Sequence, residues 1–359
     1  MFNMFHRKTI DYVDYEICPH CGADLTMQKG YDNTLPNWIC KGCGQMLINP
    51  NLDTDSNITW ICDKCGSTLN VQPGFNESCG EWKCTECGFI NKISQEEVYV
   101  SEDEYQADIN NPYKGLSDED ALELSLYEEE GTIDDRKDII LVKSSEDGFR
   151  YVKKLLKTYD RTIYDYLKDH PIDHMPRICR VYESNNCLIV IEEYVEGTTL
   201  ADLLEKNDSV KPLDSKYAIR IAKSICEILK VLHSLPTPII HRDIKPSNVM
   251  ITPEGDVFLL DMNVAKWYDP EKNDDTRYMG TQYYAAPEQV GYGLKASSAK
   301  SDIYALGILM NVMLTGKFPK EEKAFGKVWD IIEKCINLNA DDRYSAEELL
   351  EALETLIEY

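Results

Sequence analysis

At 359 residues, with 43% apolar and 28% charged, the chain is long enough for two or three domains with real cores. Its formal net charge of −25 repels phosphate backbones, which disfavours nucleic acid as the main partner. Apolar runs such as residues 187–191 are far too short to span a bilayer, and no charged-then-apolar leader opens the chain, so a cytoplasmic location is expected.

Thirteen cysteines in a reducing compartment point to metal binding rather than disulfides. Eight of them form the pairs Cys18/Cys21, Cys40/Cys43, Cys62/Cys65 and Cys84/Cys87, repeating every 22 residues. Each pair is followed by a glycine (Gly22, Gly44, Gly66, Gly88), which lets backbone amides turn back towards the thiolates. Equal spacing permits several pairings, but a longer repeat of 44 residues selects among them. Leu25, Gln28, Gly30, Tyr31 and Trp38 recur as Leu69, Gln72, Gly74, Phe75 and Trp82. The unit is therefore knuckle, hairpin, knuckle. One site takes Cys18, Cys21, Cys40 and Cys43 within residues 1–50, the other Cys62, Cys65, Cys84 and Cys87 within 51–93. Each resembles a small zinc ribbon, which implies Zn2+, two ions per chain. With so little core, metal is needed for folding itself, and partner recognition would be an added role. Trp38, Trp60 and Trp82 read as ribbon core rather than a stacking platform, because residues 1–93 hold seven Lys/Arg against eleven Asp/Glu. Cys79 reads as a loop thiol, and Cys179, Cys187, Cys226 and Cys335 as small core residues.

Residues 94–116 are expected to be an acidic, mobile linker. Across 94–135 there are fifteen Asp/Glu against the single Lys114. Ser117 and Asp120 then suggest a capping box opening a short helix with Ala121, Leu122, Leu124 and Leu126. Residues 139–142 and 149–153 read as a hairpin around a turn at 144–148. A helix with Ile163, Tyr164 and Leu167 on one face follows, then a buried strand at 187–192.

The most informative stretch is His241-Arg242-Asp243-Ile244-Lys245-Pro246-Ser247-Asn248, followed by an apolar run that delivers Asp261. Phosphoryl transfer needs a carboxylate for the attacking hydroxyl, a cation for the moving phosphoryl group and oxygen ligands for magnesium. Asp243, Lys245, Asn248 and Asp261 have that chemistry. Beyond them come Asp261-Met262-Asn263, then Gly280-Thr281-x-x-Tyr284-x-Ala286-Pro287-Glu288, then Asp302 at the head of an apolar helix, and Arg343. In this order the motifs resemble eukaryotic-type serine/threonine protein kinases over residues 117–359.

The resemblance implies an α+β, bilobal kinase fold, a small antiparallel β lobe on a helical large lobe, behind the zinc-ribbon β modules. It implies ATP and Mg2+ as cofactors, with Asn248 and Asp261 holding magnesium, and protein hydroxyls as substrates. Lys153 falls on the lysine of V-A-I-K, with Lys154 the alternative, and Asp160 on the glutamate that pairs it, one methylene shorter. Glu193 and Val195 lie in the hinge that reads adenine, with Met250 beneath the ring. Glu288 and Arg343 form a structural ion pair, and Asp302 is the buried structural aspartate. Arg242 would await a phosphate on the loop after Asp261, with Thr276 as the phosphorylated residue, while Thr281 shapes the substrate site. The glycine-rich phosphate loop departs from the family: residues 130–136 offer Gly131 alone, with Asp134, Asp135 and Arg136 nearby. That departure favours one alternative, a pseudokinase scaffold; a second makes the ribbons the functional end, a zinc-ribbon protein-binding module carrying an inactive kinase fold, whose target in so acidic a chain would be a protein.

Overall fold

Cysteine knuckles rather than a large apolar core organise the first of two units, residues 1–111, while residues 112–359 form the second. The computed structural model describes residues 5–7, 16–33, 37–48, 58–93, 102–133, 137–185, 187–206, 209–210, 212–269, 283–290 and 297–356.

In the first unit, β1 (Phe5–Arg7) pairs antiparallel with β4 (Ile58–Trp60). The first ribbon hairpin is β2 (Asn37–Ile39) with β3 (Met46–Ile48), and the second is β5 (Glu81–Lys83) with β6 (Ile90–Lys92). Trp38 faces Leu47 in one and Trp82 faces Asn91 in the other, so the 44-residue repeat is a repeat of structure. Each core is small. Leu25 and Leu47 pack with Cys18 and Cys40, whereas Trp60, Leu69 and Ile93 pack with Cys62 and Cys84.

The expected linker is not bare. Helix α1 (Glu102–Ile109) forms inside it, since Glu, Gln and Ala are good helix formers and acidic residues suit a first turn. At its far end, Tyr113 and Leu116 pack on Leu124, Tyr182 and Ile189 and belong with them to the second unit, which starts at residue 112.

The second unit opens with α2 (Asp118–Leu124), whose Ser117 side chain accepts from the Asp120 amide. A five-stranded antiparallel sheet follows in the order β10-β11-β9-β8-β7. Its strands are β7 (Tyr127–Thr132), β8 (Ile139–Ser144), β9 (Arg150–Leu156), β10 (Ile178–Glu183) and β11 (Leu188–Glu193). Helix α3 (Arg161–Asp169) lies between β9 and β10 in sequence and buries Ile163, Tyr164 and Leu167.

The chain then enters a helical lobe. It contains β12 (Thr198–Thr199), α4 (Leu200–Leu204), the pair β13 (Glu205–Lys206) and β14 (Ser209–Val210), and α5 (Ser215–His233). The strands β15 (Ile239–Ile240), β16 (Val249–Ile251), β17 (Val257–Leu259) and β18 (Lys266–Trp267) frame the loops that carry the chemistry. Helices α6 (Ala299–Thr315), α7 (Lys327–Cys335) and α8 (Ala346–Glu354) complete the core. Between Ser301 and Met313 every residue of α6 but Tyr304 is buried, as expected of a helix at the centre of a lobe. Among the described residues no helix is long and apolar enough to cross a membrane.

Candidate functional site

A cleft of about 370 Å³ lies between the sheet and the helical lobe of the second unit. Its ceiling includes Ile139, Leu141 and Val152, its floor Met250 and Leu260, and its back wall the run Glu192-Glu193-Tyr194-Val195. Gly197 closes that run against β16, where an added Cβ would meet the Ile251 carbonyl oxygen at 2.4 Å. Glu193, Val195 and Met250 thus line the cleft as expected. Gly131 does not. From the expected phosphate loop Ile133 reaches the cleft, and Asp134, Asp135 and Arg136 lie outside the described residues.

The lysine facing the cleft is Lys154, not Lys153. Alternation along β9 puts Val152 and Lys154 on the cleft face and Lys153 on the other. Lys154 Nζ pairs with Glu192 Oε1 at 2.7 Å, and both side chains are buried. Lys153 instead pairs with Glu129 and donates to the Tyr113 hydroxyl at 2.8 Å. Asp160 does not approach either lysine. It is the N-cap of α3, accepting from the Thr162 amide at 3.1 Å and the Thr162 hydroxyl at 2.6 Å.

The catalytic-loop residues converge at the lower lip. Lys245 Nζ lies 2.6 Å from Asp243 Oδ2. Asn248 Nδ2 donates to the Asp243 carbonyl at 2.9 Å and to its Oδ2 at 3.0 Å. This uses the amide nitrogen of Asn248, so its oxygen is the atom suited to a cation. Asn248 and Asp261 both line the cleft, and the Leu260 amide donates to the Asn248 carbonyl at 2.8 Å. Asp261 has φ +67°, a costly conformation outside glycine, and its Oδ1 accepts from the Asn263 amide. Asn263 Oδ1 in turn accepts from the Tyr164 hydroxyl of α3 at 3.0 Å. Burial, and the charge of Asp261, push that hydroxyl well above its ordinary pKa, so it stays a donor.

Asp302 holds the loop from below. Its Oδ2 accepts from the His241 amide at 2.9 Å, its Oδ1 from the Arg242 amide at 2.8 Å, and His233 Nε2 adds a contact at 2.9 Å. Burial alone would raise the Asp302 carboxyl, but the bond from His233 and the surrounding positive charge hold it below its ordinary value. Arg242, at φ +69°, is fixed there by Asp302 and by Gln289, whose side chain donates to the Arg242 carbonyl. Glu288 and Arg343 meet in a two-pronged contact of 2.7 and 3.0 Å, almost wholly buried, with Ser301 donating to the same carboxylate. Thr276 and Thr281 lie outside the described residues.

The first unit carries the two predicted cysteine clusters. The sulfurs of Cys18, Cys21, Cys40 and Cys43 lie within 4.8 Å of one another, as do those of Cys62, Cys65, Cys84 and Cys87. Closest approaches are 3.5–3.7 Å. A tetrahedral zinc with bonds of about 2.3 Å places its sulfurs about 3.8 Å apart, so the donor set fits that ion. The four knuckle glycines have φ between +69° and +76°, as the tight turns require. One layer out, the repeat shows its purpose. Gln28 donates to the Cys40 sulfur at 3.4 Å and accepts from the Trp38 indole at 3.0 Å. Gln72 does the same with Cys84 at 3.3 Å and Trp82 at 2.8 Å. Such outer bonds orient ligands and favour their thiolate form. Asn91 reaches the Cys62 sulfur in the second ribbon only, since Leu47 stands at the matching place in the first.

Four side chains that shape these sites escape a reading of the sequence: Glu192, Tyr164, and the ribbon glutamines Gln28 and Gln72. The first had a visible signal, a carboxylate ending the otherwise apolar run 188–191. Gln28 and Gln72 belonged to the recognised repeat but carried no obvious chemistry.

Residues 150–329, half of the chain, match the model of the protein kinase domain. Mitogen-activated protein kinase kinase 1 of Arabidopsis thaliana is 29% identical over 223 residues, covering 53% of this chain and 61% of that protein. Serine/threonine-protein kinase PrkC of Bacillus subtilis is 36% identical over 152 residues, 41% of this chain and 22% of that protein. Serine/threonine-protein kinase A of Synechocystis is 32% identical over 176 residues, 45% of this chain and 33% of that protein. The matched part thus spans less than two thirds of these curated relatives.

Proposed function

Since the chain belongs to the protein kinase domain family, we propose that its cleft binds ATP and transfers the γ-phosphate to serine or threonine hydroxyls of proteins. The observation that carries this reading is the Asp243–Lys245–Asn248 cluster at the lip of a cleft that Asp261 also lines. Asp243 orients the attacking hydroxyl and accepts its proton, and Lys245 meets the charge of the moving phosphoryl group. Asn248 and Asp261 would hold magnesium, which neutralises the triphosphate. Lys154 reaches the phosphates from the ceiling, while the backbone of 193–195 reads the adenine edge above Met250. Lys245 two residues after Asp243, with Thr281, favours serine and threonine over tyrosine, in keeping with the names of the relatives. Thr276 is the candidate switch residue and Arg242 its partner.

The cysteine clusters each hold one Zn2+ and thereby fold the first unit, which then serves partner recognition. The lone Gly131 in residues 130–136 favours one rival, a scaffold that binds partners without catalysis. Calorimetric titration of ATP with magnesium and with EDTA, run beside analysis of the phosphorylated residues of a generic substrate, separates the two. Magnesium-dependent binding with phosphoserine and phosphothreonine as products supports the enzyme. Binding equal in both buffers, without product, refutes it.

A further inference from the structure

In the kinase resemblance a carboxylate on the helix after the lysine strand anchors that lysine. Here α3 offers none. Asp160 is spent on capping, Asp165 pairs with Arg161 at the surface, and no residue of α3 lines the cleft. The carboxylate beside Lys154 comes from the sheet. On the antiparallel pair, Lys154 stands opposite Val190, and Glu192 is two residues further along β11 on the same face. Such diagonal neighbours are within reach of long side chains. The Lys154–Glu192 contact is 2.7 Å, with side chains 5% and 8% exposed. Neither charge could be buried there alone at tolerable cost.

We propose that Glu192 is the positioning residue for Lys154, so that the phosphate-binding lysine is anchored by β11 and not by α3. This rests on the reading of the cleft as an ATP site. It has a regulatory consequence. A movement of α3 would not release Lys154, because their link is missing. The influence of α3 on the site runs instead through Tyr164 to Asn263 and through Thr162, whose hydroxyl accepts from the Trp267 indole at 2.8 Å. Both contacts touch the segment that follows Asp261, so α3 can shift the magnesium ligand but not the lysine.

Two measurements on the full chain test the anchor. The first needs no nucleotide: Lys154 is acetylated with an N-hydroxysuccinimide ester and the modified peptide is followed by mass spectrometry. Glu192→Gln keeps the size of the side chain and removes its charge. The Lys154 amine should then lose protons more readily and react about tenfold faster, the equivalent of one pKa unit, while Lys153 keeps its rate. The second is calorimetric ATP titration with magnesium. Glu192→Gln should bind on the order of tenfold more weakly. Asp160→Asn, which preserves the cap, should match wild type in both assays. Should Glu192→Gln not fold, Glu192→Asp retains the charge at shorter reach and should fall between wild type and that prediction. The double variant Lys154→Met/Glu192→Met should melt no lower than wild type, as apolar replacements of buried pairs commonly do. Equal acetylation in wild type and Glu192→Gln, or ATP binding by the folded variant that is unchanged or tighter, overturns the proposal. A wild type that binds no ATP yet shows the acetylation contrast leaves the anchor standing and removes the nucleotide reading.

Discussion

Two adjacent lysines give the sharpest contrast available in this chain. Lys154→Met removes an ammonium that, in the proposed complex, makes a charge-assisted bond to phosphate. Such a bond is worth about 1.5–3 kcal/mol, so ATP affinity or kcat/KM should fall roughly 10- to 150-fold. The same change strands Glu192 in a buried site, at a cost to stability of up to about 3–5 kcal/mol. The actual loss should sit at the low end, because burial already pushes the Glu192 carboxyl above its ordinary value and it can take up a proton once Lys154 is gone. Lys153→Met behaves differently. Its partner Glu129 is 53% exposed, so solvent screens the lost pair, and the methionine retains the packing of the lysine stem. About 1 kcal/mol or less of stability should disappear and ATP binding should not change. Calorimetric ATP titration of both variants, with melting curves as controls, decides. Loss of binding in Lys153→Met with retention in Lys154→Met would refute the assignment of the cleft lysine.

Elemental analysis of the purified protein should give two zinc ions per chain, and Cys40→Ser should unfold its own ribbon while residues 112–359 melt normally. Gln72→Leu should weaken metal retention in the second ribbon by about 10- to 100-fold in a chelator competition, because it removes a bond to Cys84. Glu288→Gln breaks a buried pair and should cost about 3–5 kcal/mol. For a unit of this size that lowers Tm by on the order of 10 °C in calorimetry. Glu288 and Asp302 both titrate below their ordinary values of 4.5 and 3.8, Glu288 because Arg343 outweighs its burial. Their contribution is therefore complete above those values and lost as pH falls through the depressed ones. Stability measured from pH 6 down to 3 should decline below about 4.5, and Glu288→Gln should flatten part of that decline.

Much of this molecule is written in short motifs whose chemistry demands particular residues. Four knuckle glycines at positive φ and the sulfur clusters follow from spacing that can be read by eye, and the meeting of Glu288 with Arg343 from the kinase resemblance. The errors have a common physical origin. Along β9 both Lys153 and Lys154 are lysines, and a slip of one residue exchanges the two faces of a strand, so periodicity alone could not choose between them. The resemblance puts Asp160 on the pairing glutamate, but a residue just before α3 is better used as a cap than as a distant ion-pair partner. Residues 112–116 read as linker because they close an acidic stretch, poor in aliphatics, that Asn110-Asn111-Pro112 interrupts, yet Tyr113 and Leu116 find apolar partners that only the folded sheet brings together. Glu192 escaped notice because nothing in a linear sequence says which lysine a buried carboxylate will face.

The central claim, phosphoryl transfer with Asp243 as the proton acceptor, is tested most directly by one comparison. Turnover of labelled ATP onto a generic protein substrate is measured for wild type and Asp243→Asn, both shown to be folded and to bind ATP with magnesium. The account predicts incorporation by wild type and a fall of at least about 100-fold in the variant, the lower range for loss of a positioned general base. Equal incorporation by the two, or none by a wild type that binds ATP, would contradict it.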